Sequence, residues 1–342
     1  MVAVERALNL RLKNGHNHDA LLDHSSRVTQ KPEPLDLHML LTILERVQVD
    51  DFPKHFPAPE AGIMLHYISC PPPEPSASKG TILLIHGFPQ TSYQFRRVIT
   101  PLSDAGFHVI VPDYRGAGES SKSWEGYTKD IMARDLYRLV TEHEGIKDRI
   151  HVVGHDIGGM IAHAYAVQYP EHTASVCWGE CPLPGTKVYH EAKNTTMMWH
   201  FTFHSVPDLP ELLVAGRERI YLKHFFDRLA QNPSAISTHD LDVYATAYAQ
   251  PGAMRAAMNV YRAFEADGEM NSDWLQEKGK CEVRCLNLWG GKSFSDEATS
   301  KTMSEPHYTN AQFDTVEGAG HWIAEERPNE FVAKVLKWVQ QS

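Results

Sequence analysis

One aspartate stands at a position where its side chain could act as a nucleophile. Residues Ile150 to Gly158 read IHVVGHDIG, an apolar run that ends in a Gly-x-Asp-x-Gly turn and is followed by a helical segment. This pattern is typical of a nucleophile elbow, in which glycines leave room for a strained turn that exposes the central side chain. A carboxylate there can attack an sp³ carbon and form an alkyl ester, although Asp156 can equally be a helix N-cap.

A histidine near the C-terminus could supply the general base that hydrolyses such an ester. His321 lies in the segment VEGAGHW, directly after the last apolar run and before a terminal helical segment. A neutral imidazole accepts a proton from water near neutral pH, but it needs an acid that fixes its tautomer. Glu180 follows its strand by a single glycine, whereas Asp296 lies six residues beyond Gly290. The shorter spacing favours Glu180 and leaves Asp296 as the alternative.

The segment HGFP at residues 86–89 predicts a tight turn beside the nucleophile, because it directly follows the apolar run TILLI. The backbone N–H of Phe88 and that of Ile157, the residue after Asp156, could then face one oxygen atom. Two such donors stabilise the negative charge that develops when water attacks the ester. We therefore expect these two N–H groups to form an oxyanion hole.

Short apolar runs separated by helical or loop segments must position these residues. The runs are IMLHYIS (63–69), TILLI (81–85), HVIV (108–111), IHVV (150–153), ASVCW (174–178), VRCLNLW (283–289) and QFDTV (312–316). They predict an α/β fold with a mostly parallel sheet flanked by helices. About a hundred residues separate Trp178 from Val283, and 188–266 has a helical pattern, which predicts a helical cap inserted after the sixth strand.

These patterns divide the chain into three parts. Residues 1–55 form an N-terminal extension, 56–185 and 271–342 form the α/β core, and 186–270 form the cap. Within the extension, apolar residues at helical spacing predict a helix around Leu35–Val47.

Composition narrows the class of protein further. The 342 residues are 42% hydrophobic and carry a net charge of −10 without a long Lys/Arg run, so we expect no nucleic-acid or membrane partner. The N-terminus lacks the apolar core of a secretory signal, which favours a cytoplasmic protein. The five cysteines are an odd number in or beside apolar runs, which favours core thiols over disulfides or a metal site. No metal or cofactor is expected, and a homodimer is left open.

With these residues the chain resembles the α/β-hydrolase superfamily, and within it the epoxide hydrolases, over roughly Gly80 to Trp338. The motifs that carry the resemblance are HGFP (86–89), DYRGAGES (113–120), GHDIGG (154–159), GAGHW (318–322) and the dipeptide Tyr261-Arg262. The resemblance implies an α/β-hydrolase fold and the conversion of a small-molecule epoxide and water to a vicinal diol through an ester on Asp156.

The resemblance also implies two ring-opening donors. In epoxide hydrolases a cap tyrosine followed by arginine or a similar residue bonds the epoxide oxygen, which assigns that role to Tyr261. A smaller subgroup replaces the second tyrosine by a histidine in a W-H-F-x-F segment and takes its triad acid from a glutamate. The segment WHFTF at residues 199–203 matches that subgroup, so His200 is the expected second donor and Glu180 the expected acid.

Two other functions compete with this interpretation. Haloalkane and haloacid dehalogenases use the same aspartyl ester, but they carry a tryptophan or arginines just after the nucleophile, where this chain has Ile157 and Met160. Trp199 is a remaining candidate for halide binding. Some proteins of this fold are non-catalytic ligand-binding receptors, but that role gives no reason for Asp156 and His321 to occur together.

Overall fold

The structure is a computed structural model that describes residues 62–341 and the backbone of residues 43–49. Eight strands occur in these ranges: β1 Ile43–Val49, β2 Ile63–Cys70, β3 Thr81–Ile85, β4 His108–Pro112, β5 Ile150–His155, β6 Thr173–Gly179, β7 Cys285–Gly290 and β8 Ala311–Val316. They form one sheet in the order β1-β2-β4-β3-β5-β6-β7-β8. β1 and β2 pair antiparallel with their neighbours, and the other pairs are parallel. The predicted mostly parallel sheet is confirmed.

The central strands are buried on both faces, as their continuous apolar sequences require. In β3, Leu83 and Ile85 belong to one hydrophobic core cluster, whereas Ile82 and Leu84 belong to the other. Alternate side chains of a strand point to opposite faces, so β3 contributes to both cores at once. Burial of each such side chain stabilises the fold by about 1.5–3 kcal/mol.

Helices flank this sheet. Those in the described residues are α1 Ile99–Asp104, α2 Lys129–Arg138, α3 Ile157–Gln168, α4 Lys187–Ala192, α5 Trp199–Ser205, α6 Leu209–Val214, α7 Glu218–Leu229, α8 Thr238–Tyr248, α9 Ala253–Arg262, α10 Phe264–Lys278, α11 Glu297–Ser304, α12 Ile323–Glu326 and α13 Pro328–Val339. Short 3₁₀ helices span Pro75–Ala77, Ser92–Phe95, Pro170–His172 and Pro233–Ala235, and a π-helical turn spans Leu139–His143. None of the helices in the described part of the chain is long and apolar enough to cross a membrane.

Helices α4 to α10 lie between β6 and β7, where a single crossover helix would suffice to join parallel strands. We call these seven elements, Lys187–Lys278, the insertion helices. The sequence predicted helical structure over 188–266, and α10 extends it to Lys278. α10 ends where Gly279 adopts a φ of 75°, a left-handed conformation that glycine adopts at little cost.

The helix predicted around Leu35–Val47 is wrong where the structure can test it. Residues 43–49 form the edge strand β1, which pairs with β2 from Ile43 opposite Ser69 to Val49 opposite Ile63. Hydrogen bonds to the free edge of β2 stabilise the extended backbone, and the β-branched residues Ile43, Val47 and Val49 favour a strand. The rest of the predicted helix lies outside the described residues.

A buried ion pair ties the insertion helices to the core. Lys129 begins α2 and Asp267 lies in α10, and both residues are at most 2% exposed. The Lys129 backbone N–H donates to Asp267 Oδ1 at 2.8 Å, and Nζ donates to Oδ2 at 2.6 Å. Nζ also donates to the carbonyl of Val260 at 3.0 Å. The same lysine therefore fixes the backbone next to Tyr261.

Replacement of Lys129 tests how much the buried ion pair with Asp267 stabilises the fold. Lys129→Met should lower the free energy of unfolding by about 3–5 kcal/mol near pH 8, because it leaves the Asp267 carboxylate buried without its cation. Urea-induced unfolding followed by tryptophan fluorescence measures the change. Lys301→Met is the matched control, since Lys301 pairs with Glu297 on the exposed surface of α11 and its loss should leave the midpoint unchanged. Equal unfolding midpoints for the two variants would show that the Lys129–Asp267 ion pair does not stabilise the fold.

Candidate active site

Asp156 lies in a sterically tight turn between β5 and α3. Its φ of 56° is in the left-handed region, which is costly for a residue with a side chain. A Cβ at Gly154 would lie 2.0 Å from the Gly158 carbonyl oxygen, and one at Gly158 would lie 2.1 Å from the Ile85 carbonyl oxygen. Both glycines are therefore required, as the sequence predicted. The Asp156 side chain makes no N-cap hydrogen bond to α3, so the alternative as a helix cap does not hold.

The two oxygens of the Asp156 carboxylate have different surroundings. The Phe88 N–H donates to Oδ1 at 2.9 Å, and the Ile157 N–H also stabilises the ionised carboxylate. Oδ2 instead lies 3.9 Å from Nε2 of His321. One oxygen thus occupies the predicted oxyanion hole, and the other faces the predicted base.

His321 is held by hydrogen bonds to its ring and to its backbone. Its Nδ1 lies 2.8 Å from Oε2 of Glu180. Burial raises the pKa of Glu180 to about 7, and when this carboxylate is ionised it only accepts hydrogen bonds, so that Nδ1 then carries the proton. The Nε2 lone pair is then directed toward Asp156. The backbone N–H of His321 donates to the Leu229 carbonyl at 2.9 Å, and its carbonyl accepts from Nε2 of His155 at 2.7 Å. These contacts fix the imidazole between the two acids.

The two candidate acids, Glu180 and Asp296, lie in different surroundings in the structure. Glu180 follows β6 by one residue and is 1% exposed, with a φ of 61° that turns its side chain toward His321. Asp296 is exposed and caps α11, where its Oδ1 accepts from the Thr299 N–H at 2.8 Å. Among these two acids, the contact with the imidazole belongs to Glu180.

Tyr261 and His200 face the same cavity as Asp156, although they come from different helices, α9 and α5. Their ring centroids are 5.6 Å apart and nearly perpendicular, and the ring of Phe88 packs 5.5 Å from that of Tyr261. Nδ1 of His200 is buried without a hydrogen-bond partner in the described part of the chain. Both side chains can therefore reach a molecule bound beside Asp156.

Two further tyrosines of the insertion helices are engaged elsewhere. The Tyr244 hydroxyl donates to Oε1 of Glu325 at 2.5 Å, and that of Tyr248 donates to the Gln90 carbonyl at 3.2 Å. Neither residue is among those that line the cavity. Their hydrogen bonds hold the insertion helices against the core.

The cavity is small and mostly apolar. Its volume of about 20 Å³ gives room for about one water molecule, so a substituted substrate must displace the side chains around it. Besides Asp156, Glu180, His200, Tyr261 and His321, its walls are Phe88, Pro182, Met197, Met198, Phe201, Phe225, Leu229 and Phe294. No lysine or arginine of the described residues lines it, so the cavity suits a neutral molecule.

Burial controls the protonation of the site. It raises the pKa of Asp156 to about 6, against opposing effects of His321 and of the two backbone donors. It lowers the pKa of His321, and the nearby Asp156 carboxylate opposes that shift. It also lowers the pKa of His200 to about 3 and raises that of Tyr261 well above 10. Near neutral pH, Asp156 is thus ionised, both histidines are neutral and Tyr261 keeps its proton.

Two contacts to Glu180 were missed from the sequence. The Gly290 N–H donates to Oε1 at 2.7 Å, and the Ser293 hydroxyl donates to Oε2 at 2.7 Å. Gly290 is the last residue of β7 and Ser293 lies in the loop that follows, where the sequence drew attention to Asp296 instead. A physical argument could have predicted these contacts, because a buried carboxylate needs hydrogen-bond donors and the loop after the neighbouring strand is the nearest segment that can supply them.

Comparisons with known proteins identify a family whose match includes the residues of this site. Residues 80–328 match the family described as alpha/beta hydrolase fold. The AB hydrolase superfamily protein YfhM of Bacillus subtilis is 30% identical over 75% of this chain and 90% of that protein. The soluble epoxide hydrolase of Corynebacterium sp. is 29% identical over 83% and 96%. The crystal structure of Cfl2 from Burkholderia cenocepacia has a TM-score of 0.74 and 30% identity, covering 82% of this chain and 93% of that chain.

The raised pKa of Asp156 predicts a pH-dependent effect on stability. A pKa that rises from 3.8 to about 6 on folding means that the folded state loses stability as the pH increases through this interval. Asp156→Asn removes the charge and keeps an oxygen for the Phe88 N–H. It should raise the free energy of unfolding near pH 8 by up to about 3 kcal/mol, and by much less near pH 4.

Chemical unfolding at the two pH values measures this difference. In the control Asp296→Asn, the lost charge has the opposite effect on stability. The Thr299 N–H lowers the pKa of Asp296, so the charge of the Asp296 carboxylate stabilises the fold at higher pH. This variant should give no gain near pH 8. An equal gain from Asp156→Asn at both pH values would show that burial of the charge is not the cause.

Proposed function

Since the chain belongs to the α/β-hydrolase fold family, we propose that it is an epoxide hydrolase that makes a vicinal diol through an alkyl ester on Asp156. The observation that carries this proposal is the meeting of a carboxylate with two neutral donors, Tyr261 and His200, in one apolar cavity. Both donors lie in the stretch 186–270, which we propose acts as the cap. The name of the Corynebacterium relative supports the same activity.

Ring opening uses the two sides of the cavity together. Oδ2 of Asp156 attacks one epoxide carbon and the C–O bond to the ring oxygen breaks, which leaves an alkoxide. Tyr261 donates its proton to that oxygen, and a neutral His200 donates a hydrogen bond to it. An alkoxide is a strong base, so this leaving group requires donors that a halide does not. Because burial keeps the phenol protonated, Tyr261 is a proton donor over the whole neutral range.

Hydrolysis of the ester uses the base His321, the acid Glu180 and the two backbone N–H groups of the oxyanion hole. His321 takes a proton from water, the water oxygen adds to the Asp156 carbonyl carbon, and the N–H groups of Phe88 and Ile157 stabilise the resulting oxyanion. Glu180 stabilises the imidazolium that forms. The acyl C–O bond then breaks, the His321 imidazolium protonates the departing oxygen, which Asp156 contributed, and the diol leaves. The new Asp156 carboxyl group loses its proton and the Tyr261 phenolate regains one by exchange with solvent, which restores the starting state of the site.

Dehalogenation through the same ester is the less favoured function. A haloacid needs a cation for its carboxylate, and no lysine or arginine of the described residues lines the cavity. Trp199, the candidate for halide binding, does not line it either and instead packs against Phe225. The donors beside Asp156 fit an epoxide oxygen better than a halide.

A single turnover in ¹⁸O-labelled water tests the covalent route. With enzyme in excess over styrene oxide, the label should enter the Asp156 carboxylate and be absent from the first diol, because water attacks the carboxyl carbon of the ester. Mass spectrometry of the diol and of the peptide that contains Asp156 measures both. Label in the first diol would exclude the ester. A parallel incubation with chloroacetate, followed by halide measurement, should show no release, and rapid release would instead favour dehalogenation.

Loss of the base should trap the ester. His321→Gln should open the epoxide at a rate close to that of wild type and then accumulate the alkyl-enzyme, with diol release slowed by about 10³-fold or more. Intact-mass measurement after mixing detects the adduct. Glu180→Gln should accumulate it as well, whereas Asp296→Asn should not, since Asp296 only caps α11. No adduct in the His321 variant would contradict its role in hydrolysis.

A further inference from the structure

We propose that Ser293 is a positioning residue that keeps the Glu180 carboxylate charged and oriented toward His321 during ester hydrolysis. This inference rests on the proposed function, because it assigns a role in the second half-reaction. It gives the loop after β7 a part in the chemistry although none of its acids touches the imidazole. Ser293 itself acts only through Glu180.

The hydrogen bonds around Glu180 carry the inference. Its Oε1 accepts from the Gly290 N–H at 2.7 Å, and its Oε2 accepts from the Ser293 hydroxyl at 2.7 Å and from Nδ1 of His321 at 2.8 Å. The serine and the imidazole therefore share one oxygen. Three donors to a carboxylate that is 1% exposed replace the water it loses on folding.

The loop holds the serine hydroxyl in that orientation. The Ser293 N–H donates to the Gly290 carbonyl at 2.9 Å, which closes a tight turn directly after β7. The Ser295 N–H donates to Oγ of Ser293 at 3.3 Å, so the lone pairs of Oγ face Ser295 and its proton points to Glu180. A Cβ at Gly290 would lie 1.9 Å from the Gly320 carbonyl oxygen, so this loop packs tightly against the segment that carries His321.

The charges around Glu180 make the serine necessary. His321 faces it from the loop before α12, and His155 and Asp156 face it from the end of β5. The negative Asp156 and burial both oppose a second negative charge, and His155 is neutral because burial lowers its pKa to about 3. Without the Ser293 hydroxyl, protonated Glu180 becomes more favourable. In that form it no longer stabilises an imidazolium at His321.

The test measures the two half-reactions separately against pH. In single turnovers with styrene oxide, rapid quenching and intact-mass analysis give the rates at which the alkyl-enzyme forms and disappears. Ser293→Ala should shift the acid limb of the hydrolysis rate upward by about one pH unit, since a hydrogen bond to a charged group is lost. Hydrolysis should be about tenfold slower than wild type on that limb and should converge with it at high pH. Formation of the ester should change by less than about twofold.

Two variants serve as controls. Ser293→Thr keeps the hydroxyl and should restore the wild-type profile. Ser295→Ala removes a buried hydroxyl of the same loop that pairs with Ser300 and not with Glu180, and should leave both rates unchanged. A Ser293→Ala profile with an unshifted acid limb, whether slower throughout or identical to wild type, overturns the inference. If wild type makes no diol from styrene oxide and His321→Gln traps no adduct, the proposed function fails instead, so the two failures are distinguishable.

Discussion

Two carboxylates are buried away from water within one small site, and the rest of the structure depends on this constraint. Asp156 and Glu180 each follow a strand by one residue, and each adopts a positive φ, 56° and 61°. A regular helix or strand would bury neither side chain in this way. Backbone N–H groups and hydroxyls replace the lost hydration, and the tight turns that provide them require Gly154 and Gly158.

The parallel sheet explains how residues so distant in sequence meet. Strands β3, β5, β6, β7 and β8 are consecutive neighbours in the sheet and end at the same edge. The loops after them supply in turn the Phe88 N–H, Asp156, Glu180, the Gly290–Ser293 turn and His321. Each strand therefore delivers one part of the site. The insertion helices connect β6 to β7, and two of them bring His200 and Tyr261 to the cavity that Asp156 lines.

Features set by local geometry could be predicted from the sequence. The turn at Asp156 needs glycines whatever the rest of the fold, and the position of Glu180 directly after β6 brings that acid close to the sheet edge. Features set by competition between distant segments could not. The helix predicted around Leu35–Val47 shows this, since its residues 43–47 belong instead to a strand that pairs with the edge of β2. Ser293 was missed for the same reason, because its partner depends on the path of a loop and not on a motif.

The same distinction applies to the tyrosines of the insertion helices. Tyr244, Tyr248 and Tyr261 share residue type and a helical setting, so only the resemblance to a family distinguished them in the sequence. In the structure their hydroxyl partners differ, because Gln90 and Glu325 engage the first two and leave Tyr261 at the cavity wall. A family motif thus predicted Tyr261 as the donor, and hydrogen bonding explains why the hydroxyls of the other two tyrosines are engaged elsewhere.

Burial shifts the pKa of the proposed nucleophile and that of the proposed base in opposite directions, and the proposed mechanism uses both effects. Removal from water raises the pKa of Asp156 to about 6, which makes the carboxylate more basic yet leaves it ionised near neutral pH. The same loss of solvent lowers the pKa of His321, so its imidazole stays neutral and can accept a proton. A more exposed site would give a weaker nucleophile beside a partly protonated base. In the proposed mechanism, the small apolar cavity therefore contributes to reactivity through its low dielectric constant as well as through its shape.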